Sequence, residues 1–157
     1  MSEIIRQMSS IKELIPSVKG QSLGTNFMAW WDLILEKIDI GGKFYTPGRG
    51  LQGLRRKLFA ILEMDSSKII IGSGRSKIPL EKKCFDAVEN AFSNNTSLWL
   101  RVAALHDNEP FENSIDKLIR DETGSQLARG NYICSILEHC GLVRYAMRGN
   151  RKGIEPV

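Results

Sequence analysis

Apolar residues recur along this chain with two periods, and each change of period marks an element. Ile4, Ile5, Met8, Ile11, Leu14 and Ile15 have helical spacing over residues 3–15, and Pro16 stops the run. The stretch 17–25 reads as a linker. Asn26 is placed to cap a second helix with Phe27, Trp30, Trp31, Ile34, Leu35 and Ile38 on its apolar face, ended by Gly41-Gly42. Its tandem tryptophans read as core, not as a base-stacking platform. Lys43 to Thr46 is expected to be a short strand and Pro47-Gly48-Arg49-Gly50 a turn. Lys57 to Glu63 and Lys68 to Ile71 read as two strands around an Asp65-Ser66-Ser67 turn, and Ser76 to Ile78 as a third. Pro79-Leu80 then opens a helix to Phe92, with Leu80, Cys84, Ala87, Val88, Ala91 and Phe92 inward. The polar run Ser93-Asn94-Asn95-Thr96 separates an N-terminal lobe, 1–96, from a C-terminal lobe, 97–157.

The middle has a competing reading. Gly48, Gly50 and Gly53 spell G-x-G-x-x-G, and Leu51, Leu54, Leu58, Ile61 and Leu62 also fit a helix. A nucleotide phosphate would then sit at that helix N-terminus. Against this, no acid closes the Ile69-Ile70-Ile71 strand where a ribose-binding carboxylate belongs.

The C-terminal lobe has the clearest order. Leu98 to Leu105 reads as a helix broken by Pro110. Asn113 or Ser114 caps the next, with Ile115, Leu118 and Ile119 as its stripe. Thr123-Gly124-Ser125 is a turn, and Ser125 is expected to cap a helix running to Cys140 with Ile133, Ile136, Leu137 and Cys140 inward. Leu142 to Met147 is a strand, residues 148–153 a basic loop, and Ile154 to Val157 a return strand. Helix, turn, helix, Gly141-Leu142-Val143, strand and basic loop together resemble the winged helix-turn-helix family over residues 97–157. The expected fold is therefore α+β: an N-terminal helical and small antiparallel-sheet lobe, then a winged helix-turn-helix.

That resemblance implies a recognition helix, 126–140, in the major groove of duplex DNA, presenting Gln126, Arg129 and Tyr132. Ser125 and the helix N-terminus would hold a phosphate. Arg148, Arg151 and Lys152 on the wing, with Arg144, would grip the backbone. Arg49, Arg55, Arg56, Arg75 and Lys77 would extend the contact from the basic central lobe. The acids Glu112, Asp116, Asp121 and Glu122 on the preceding helix depart from the pattern and must face away from the phosphates. Winged helices also serve as protein-interaction modules, so a protein partner or a homodimer is the alternative, and a nucleotide-binding fragment the third reading.

Charge distribution bears on this more than the overall net of +4. Residues 43–83 carry ten basic and three acidic side chains, and 141–157 four and one. Residues 107–122 carry six acids and two basic residues. Clustered cations favour a polyanion. No apolar run reaches the roughly 20 residues of a membrane span. The N-terminus lacks a signal-peptide pattern. A cytoplasmic regulator, or the recognition part of a DNA-processing system, is expected. Cys84, Cys134 and Cys140 read as buried thiols, since the spacing of Cys134, His139 and Cys140 fits no zinc pattern. Glu63, Asp65 and Lys68 lack the carboxylate partner of a nuclease site, so neither a catalytic centre nor a cofactor is expected.

Overall fold

The computed structural model describes residues 28–48, 56–94, 98–102 and 110–157, which form an α+β fold. The expected helix over 3–15, the linker and the residues Arg49 and Arg55 lie outside them. Helix α1, Trp30–Lys37, buries Trp31 against Phe85, with ring centroids 5.4 Å apart. Strands β1 (Lys43–Tyr45), β2 (Leu58–Met64), β3 (Lys68–Ser73) and β4 (Ser76–Glu81) follow as an antiparallel sheet in that order. Asp65 builds the β2–β3 turn: its Oδ1 accepts from the backbone N–H of Ser67 at 2.7 Å and of Lys68 at 3.0 Å. Phe59, Ile61, Ile69, Ile71 and Leu80 alternate onto the buried face of the sheet.

Two expectations fail here. Residues 58–62 are strand, so the helix required by the glycine-loop reading does not form over them, while Gly50, Leu51, Gly53 and Leu54 lie outside the described residues. Proline and Leu80 end β4 instead of opening a helix, and α2 begins later, at Lys82–Ser93. Leu80 pairs with Ile69 and Pro79 with Ile70, and β4 is an edge strand, where a residue without an N–H is tolerated.

Beyond α2 come β5 (Leu100–Arg101), α3 (Ile115–Thr123), α4 (Gly130–His139), β6 (Val143–Arg148) and β7 (Arg151–Pro156). Their antiparallel sheet has the order β5-β7-β6. The expected helix at 98–105 is overturned at Leu100–Arg101, which pairs with Ile154 and Gly153 of β7. Helix α3 starts and stops as its sequence signals require. The Ser114 hydroxyl accepts from the Lys117 N–H at 3.1 Å, and Gly124 ends the helix at φ 72°. Helix α4 does not start after Ser125, whose hydroxyl only closes a short turn by accepting from the Leu127 N–H. The basic loop is also shorter than expected: Arg148 and Arg151 are already paired, with Gly149 at φ 64° in the turn between them. Buried residues from α1, the large sheet, α2 and the C-terminal elements form one cluster.

Helix α4 crosses the large sheet from edge to edge. At its N-cap, Arg129 Nη1 donates to the Pro79 carbonyl of β4 at 3.1 Å and to Glu81. Tyr132 donates to Ser73 of β3 at 3.2 Å and stacks edge-on against Phe59 of β2. Ser135 donates to the Tyr45 carbonyl of β1 at 2.6 Å, and His139 meets Phe44 of β1 edge-on. Ten residues of helix rise about 15 Å. Three inter-strand gaps span about 14 Å. The helix is therefore as long as the sheet is wide, and one stripe of it serves all four strands.

Both ends of α4 are also fixed from elsewhere. Asp116, buried in α3, accepts from the Gly130 N–H at 2.9 Å. Lys37 of α1 donates to the Cys140 carbonyl at 3.2 Å. Gly130 has no side chain because a Cβ there would meet Asp116 Oδ1 at 2.8 Å. Partial burial raises the Glu81 carboxyl, but the hydrogen bond and charge of Arg129 outweigh it, leaving the group below its ordinary value. Arg129→Met is predicted to lower stability by about 2 to 3 kcal/mol, the lower end of a broken buried pair because Glu81 is partly solvated. Exposed Arg75→Met is predicted to change it by less than about 0.5 kcal/mol. Urea unfolding of both variants checks this; equal midpoints would sink the tether.

Candidate nucleic-acid interface

The crossing of α4 decides which expected DNA contacts remain available. Arg129 is 1% exposed and its guanidinium is engaged by Pro79, Glu81 and Thr123, so it is an internal strut and not a base reader. Tyr132 points into the large sheet. Gln126 precedes the helix and accepts from Arg120 at 3.4 Å. Ser125 lies in the same connection, away from any helix N-terminus. The face of the expected recognition helix that carries Arg129 and Tyr132 is thus the face covered by the large sheet.

The acids of α3 are partly internal as well. Asp116 caps α4, and Asp121 pairs with Lys117 at 3.1 Å. Sequence spacing hid the first of these roles, because the capped N–H lies 14 residues away.

The basic residues divide into groups. Arg75 and Lys77 are exposed at the β3–β4 hairpin. Arg144 is paired with Glu155 at 2.8 Å. Arg148 and Arg151 stand opposite each other at the end of the β6–β7 hairpin, on the face turned away from the core. Arg101, read in the sequence as a helix residue, joins them through β5, whose pairing with Gly153 puts it on the same face. Partial burial, and then the charge of Arg151, lower the Arg101 pKa. None of these three has a carboxylate partner among the described residues. Arg56 and Lys152 form a second gathering: burial first, then the charge of Arg56, lower the Lys152 pKa. Lys152 also donates to the Gly48 carbonyl at 3.0 Å.

Each gathering stands on aromatic rings. Arg101 lies 3.7 Å above the Phe111 centroid and Arg148 4.9 Å above that of Trp99. Arg56 is 4.8 Å from the Tyr45 centroid and Lys152 5.1 Å from that of Tyr145. Trp99 is itself fixed, donating from Nε1 to the Ala146 carbonyl at 3.0 Å. Its ring fills the space that a side chain at 153 would occupy, which is why β7 carries Gly153 there. The stacked cations are therefore ordered in advance. The same stacking takes one face of each ring, which leaves that face closed to bases.

Other candidate chemistry is dispersed. Cys134 is fully buried, whereas His139 is exposed against Phe44. No group of three His, Cys, Asp or Glu among the described residues is arranged to hold a metal ion. Asp65 is engaged by its own turn, and the Ser67 N–H, foremost, holds its pKa below the ordinary value. No helix of the described residues is long and apolar enough to cross a membrane. Comparison with protein-family models, curated proteins and solved structures finds no match to the chain.

Burial pushes the thiols of Cys84 and Cys140 up to about 11 from an ordinary 9.0. A pKa raised by folding stabilises the fold fully below the unfolded value and ceases to do so as pH rises through the folded one. Stability is therefore predicted to fall between about pH 9 and 11, by about 2 to 3 kcal/mol per thiol. Urea unfolding at stepped pH, with Cys84→Ala and Cys140→Ala variants, measures it. A wild-type loss no larger than that of the double variant would remove Cys84 and Cys140 as its cause.

Proposed function

We propose that the chain is a non-catalytic duplex DNA-binding protein of winged-helix design, gripping the phosphate backbone with its small sheet rather than reading bases with α4. The order α2, β5, α3, α4, β6, β7 and the sheet order β5-β7-β6 support the winged-helix part of this reading. The observation that carries the DNA part is the Arg148–Arg151 pair, directly opposed across the hairpin, with Arg101 beside it and none of the three in an ion pair among the described residues, since Glu155 on the same face is taken by Arg144. Opposed like charges destabilise a sheet. A polyanion laid across them reverses the sign of that interaction, and each phosphate neutralised releases counterions.

Because α4 is occupied, recognition rests on the backbone and on duplex shape, with little dependence on base sequence. Duplex is favoured over single strands because one face of each of these rings is already taken by a guanidinium or ammonium group. Three buried free thiols fit a reducing, cytoplasmic setting. A regulator, or the DNA-holding part of a larger assembly, has these requirements.

Anisotropy titration of labelled mixed-sequence duplex across salt is the test. Arg148→Ala/Arg151→Ala is predicted to make the log–log salt slope shallower by roughly 1.8, two contacts at about 0.9 each. Gln126→Ala and Arg144→Ala are predicted to leave it unchanged. Wild-type protein that fails to bind duplex at low salt would refute the reading. Tighter binding to single strands than to duplex would replace duplex with single-stranded nucleic acid as the partner.

A further inference from the structure

Among the described residues, the large sheet has its inner face covered and one carbonyl engaged at each edge. Helix α4 lies on the inner face. Ser135 takes the Tyr45 carbonyl at the β1 edge, and Arg129 the Pro79 carbonyl at the β4 edge. The outer face carries exposed apolar residues at its centre. Tyr45, Leu58 and Leu62 are 53%, 48% and 38% exposed there. Ala60 sits opposite Gly72 between them.

The outward residues of β2 and its entry follow a definite order: Arg56, Leu58, Ala60, Leu62, Glu63. The bulge between Ile61 and Glu63 brings the last two to the exposed side together. Arg56 is steadied over the Tyr45 ring on this face. The Arg56 guanidinium, over the ring of Tyr45 opposite Leu58, lies one outward step before Ala60, and Glu63 lies beside Leu62 one outward step beyond it, so the face is complementary to itself about Ala60.

We propose that this face joins two copies of the chain, packed sheet to sheet about a two-fold axis at Ala60. Strand β2 of one copy then runs antiparallel to β2 of the other. Leu58 lies against Leu62 of the second copy, and the small Ala60 lets the sheets approach to about 10 Å. Arg56 faces Glu63 of the second copy at both ends of the contact, as an isologous interface requires. Neither residue has an ion-pair partner among the described residues. Lys43 and Lys77 flank the centre, where long stems let their ammonium groups stay in water. Joining edge to edge is disfavoured, because one outward carbonyl at each edge, Tyr45 of β1 and Pro79 of β4, is already engaged. The sheet spans about 14 Å across its strands by roughly 17 Å along them, so each copy contributes less than the roughly 800 Å² of a durable complex. The dimer is accordingly of the transient, concentration-dependent class. This contact is independent of phosphate binding by the hairpin; it uses Arg56 but not Arg101, Arg148 or Arg151.

Sedimentation velocity from roughly 1 μM to roughly 500 μM, the range where a small interface associates, is the experiment. The wild-type weight-average sedimentation coefficient is expected to rise toward that of a dimer. Leu58→Asp, at an exposed position, is expected to abolish the rise with an unchanged thermal midpoint. Arg56→Glu and Glu63→Arg are each expected to raise the dissociation constant about tenfold, and the double reversal to bring it back within about threefold of wild type. Wild-type protein that stays monomeric throughout overturns the proposal. So does association that Leu58→Asp leaves intact, or a double reversal no better than the single ones. If Leu58→Asp loses its fold, the charge-reversal set still decides.

Discussion

The fold depends on one helix being satisfied from every side. Helix α4 rests on four strands through Arg129, Tyr132, Ser135 and His139, is capped by Asp116 from α3, and is tied off by Lys37 from α1. Its other stripe, Ile133, Ile136 and Leu137, belongs to the common core. A helix end in a dry environment must find partners for its unpaired backbone groups. Here those partners come from two other helices. A helix held in this way cannot also enter a DNA groove without uncovering the sheet, Phe59 and a buried guanidinium together. Each loss costs about 1 kcal/mol or more.

That fixture moves the proposed nucleic-acid contact elsewhere, to the small sheet. The ring of Trp99 over Gly153 makes a floor for Arg148, and Phe111 makes one for Arg101. A guanidinium already stacked loses less freedom on meeting a phosphate than one in open solvent. Arg144 shows the contrast: paired with Glu155 on the same sheet, it has an acid to leave before it can meet a phosphate. The proposed contact is therefore a property of three arginines at one end of the sheet, not of the basic composition of the segment.

Much of this was legible in the sequence where short-range chemistry sets the structure. The Ser114 cap, the left-handed Gly124, the Asp65 turn and the strands around it follow from residues within three or four positions of each other. What was missed depends on distant partners. A two-residue strand such as Leu100–Arg101 has no period to detect, so Leu98, Val102 and Leu105 read as a helix face. Pro79 resembled a helix opener because nothing local shows that it lies on a sheet edge. Arg129 and Tyr132 resembled the polar face of a recognition helix because side-chain polarity does not reveal whether its partner is solvent, DNA or the chain's own backbone. The start of α4 was misplaced for the same reason: its capping carboxylate comes from another helix, and the nearby Ser125 offered a local substitute. Arg101 could have been found by asking which basic residue would oppose Gly153 if β5 existed.

The two faces of the large sheet express one sequence rule in different ways. Alternation gives the inner face Phe59, Ile61, Ile69 and Ile71, which α4 and the core cover. Strict alternation along β2 would then give an outer face spaced only by even positions. The bulge breaks it, so that Leu62 and Glu63 come out together and an acid appears at the far end of the strand from Arg56. Without the bulge, alternation would turn Glu63 toward the hydrophobic core, where an unpaired carboxylate is costly. The register shift keeps the core apolar, and in doing so it gives the outer face opposite charges at its two ends. With α4 on the inner face and one carbonyl of each edge engaged by Arg129 and Ser135, the outer face is the one that the proposed association uses.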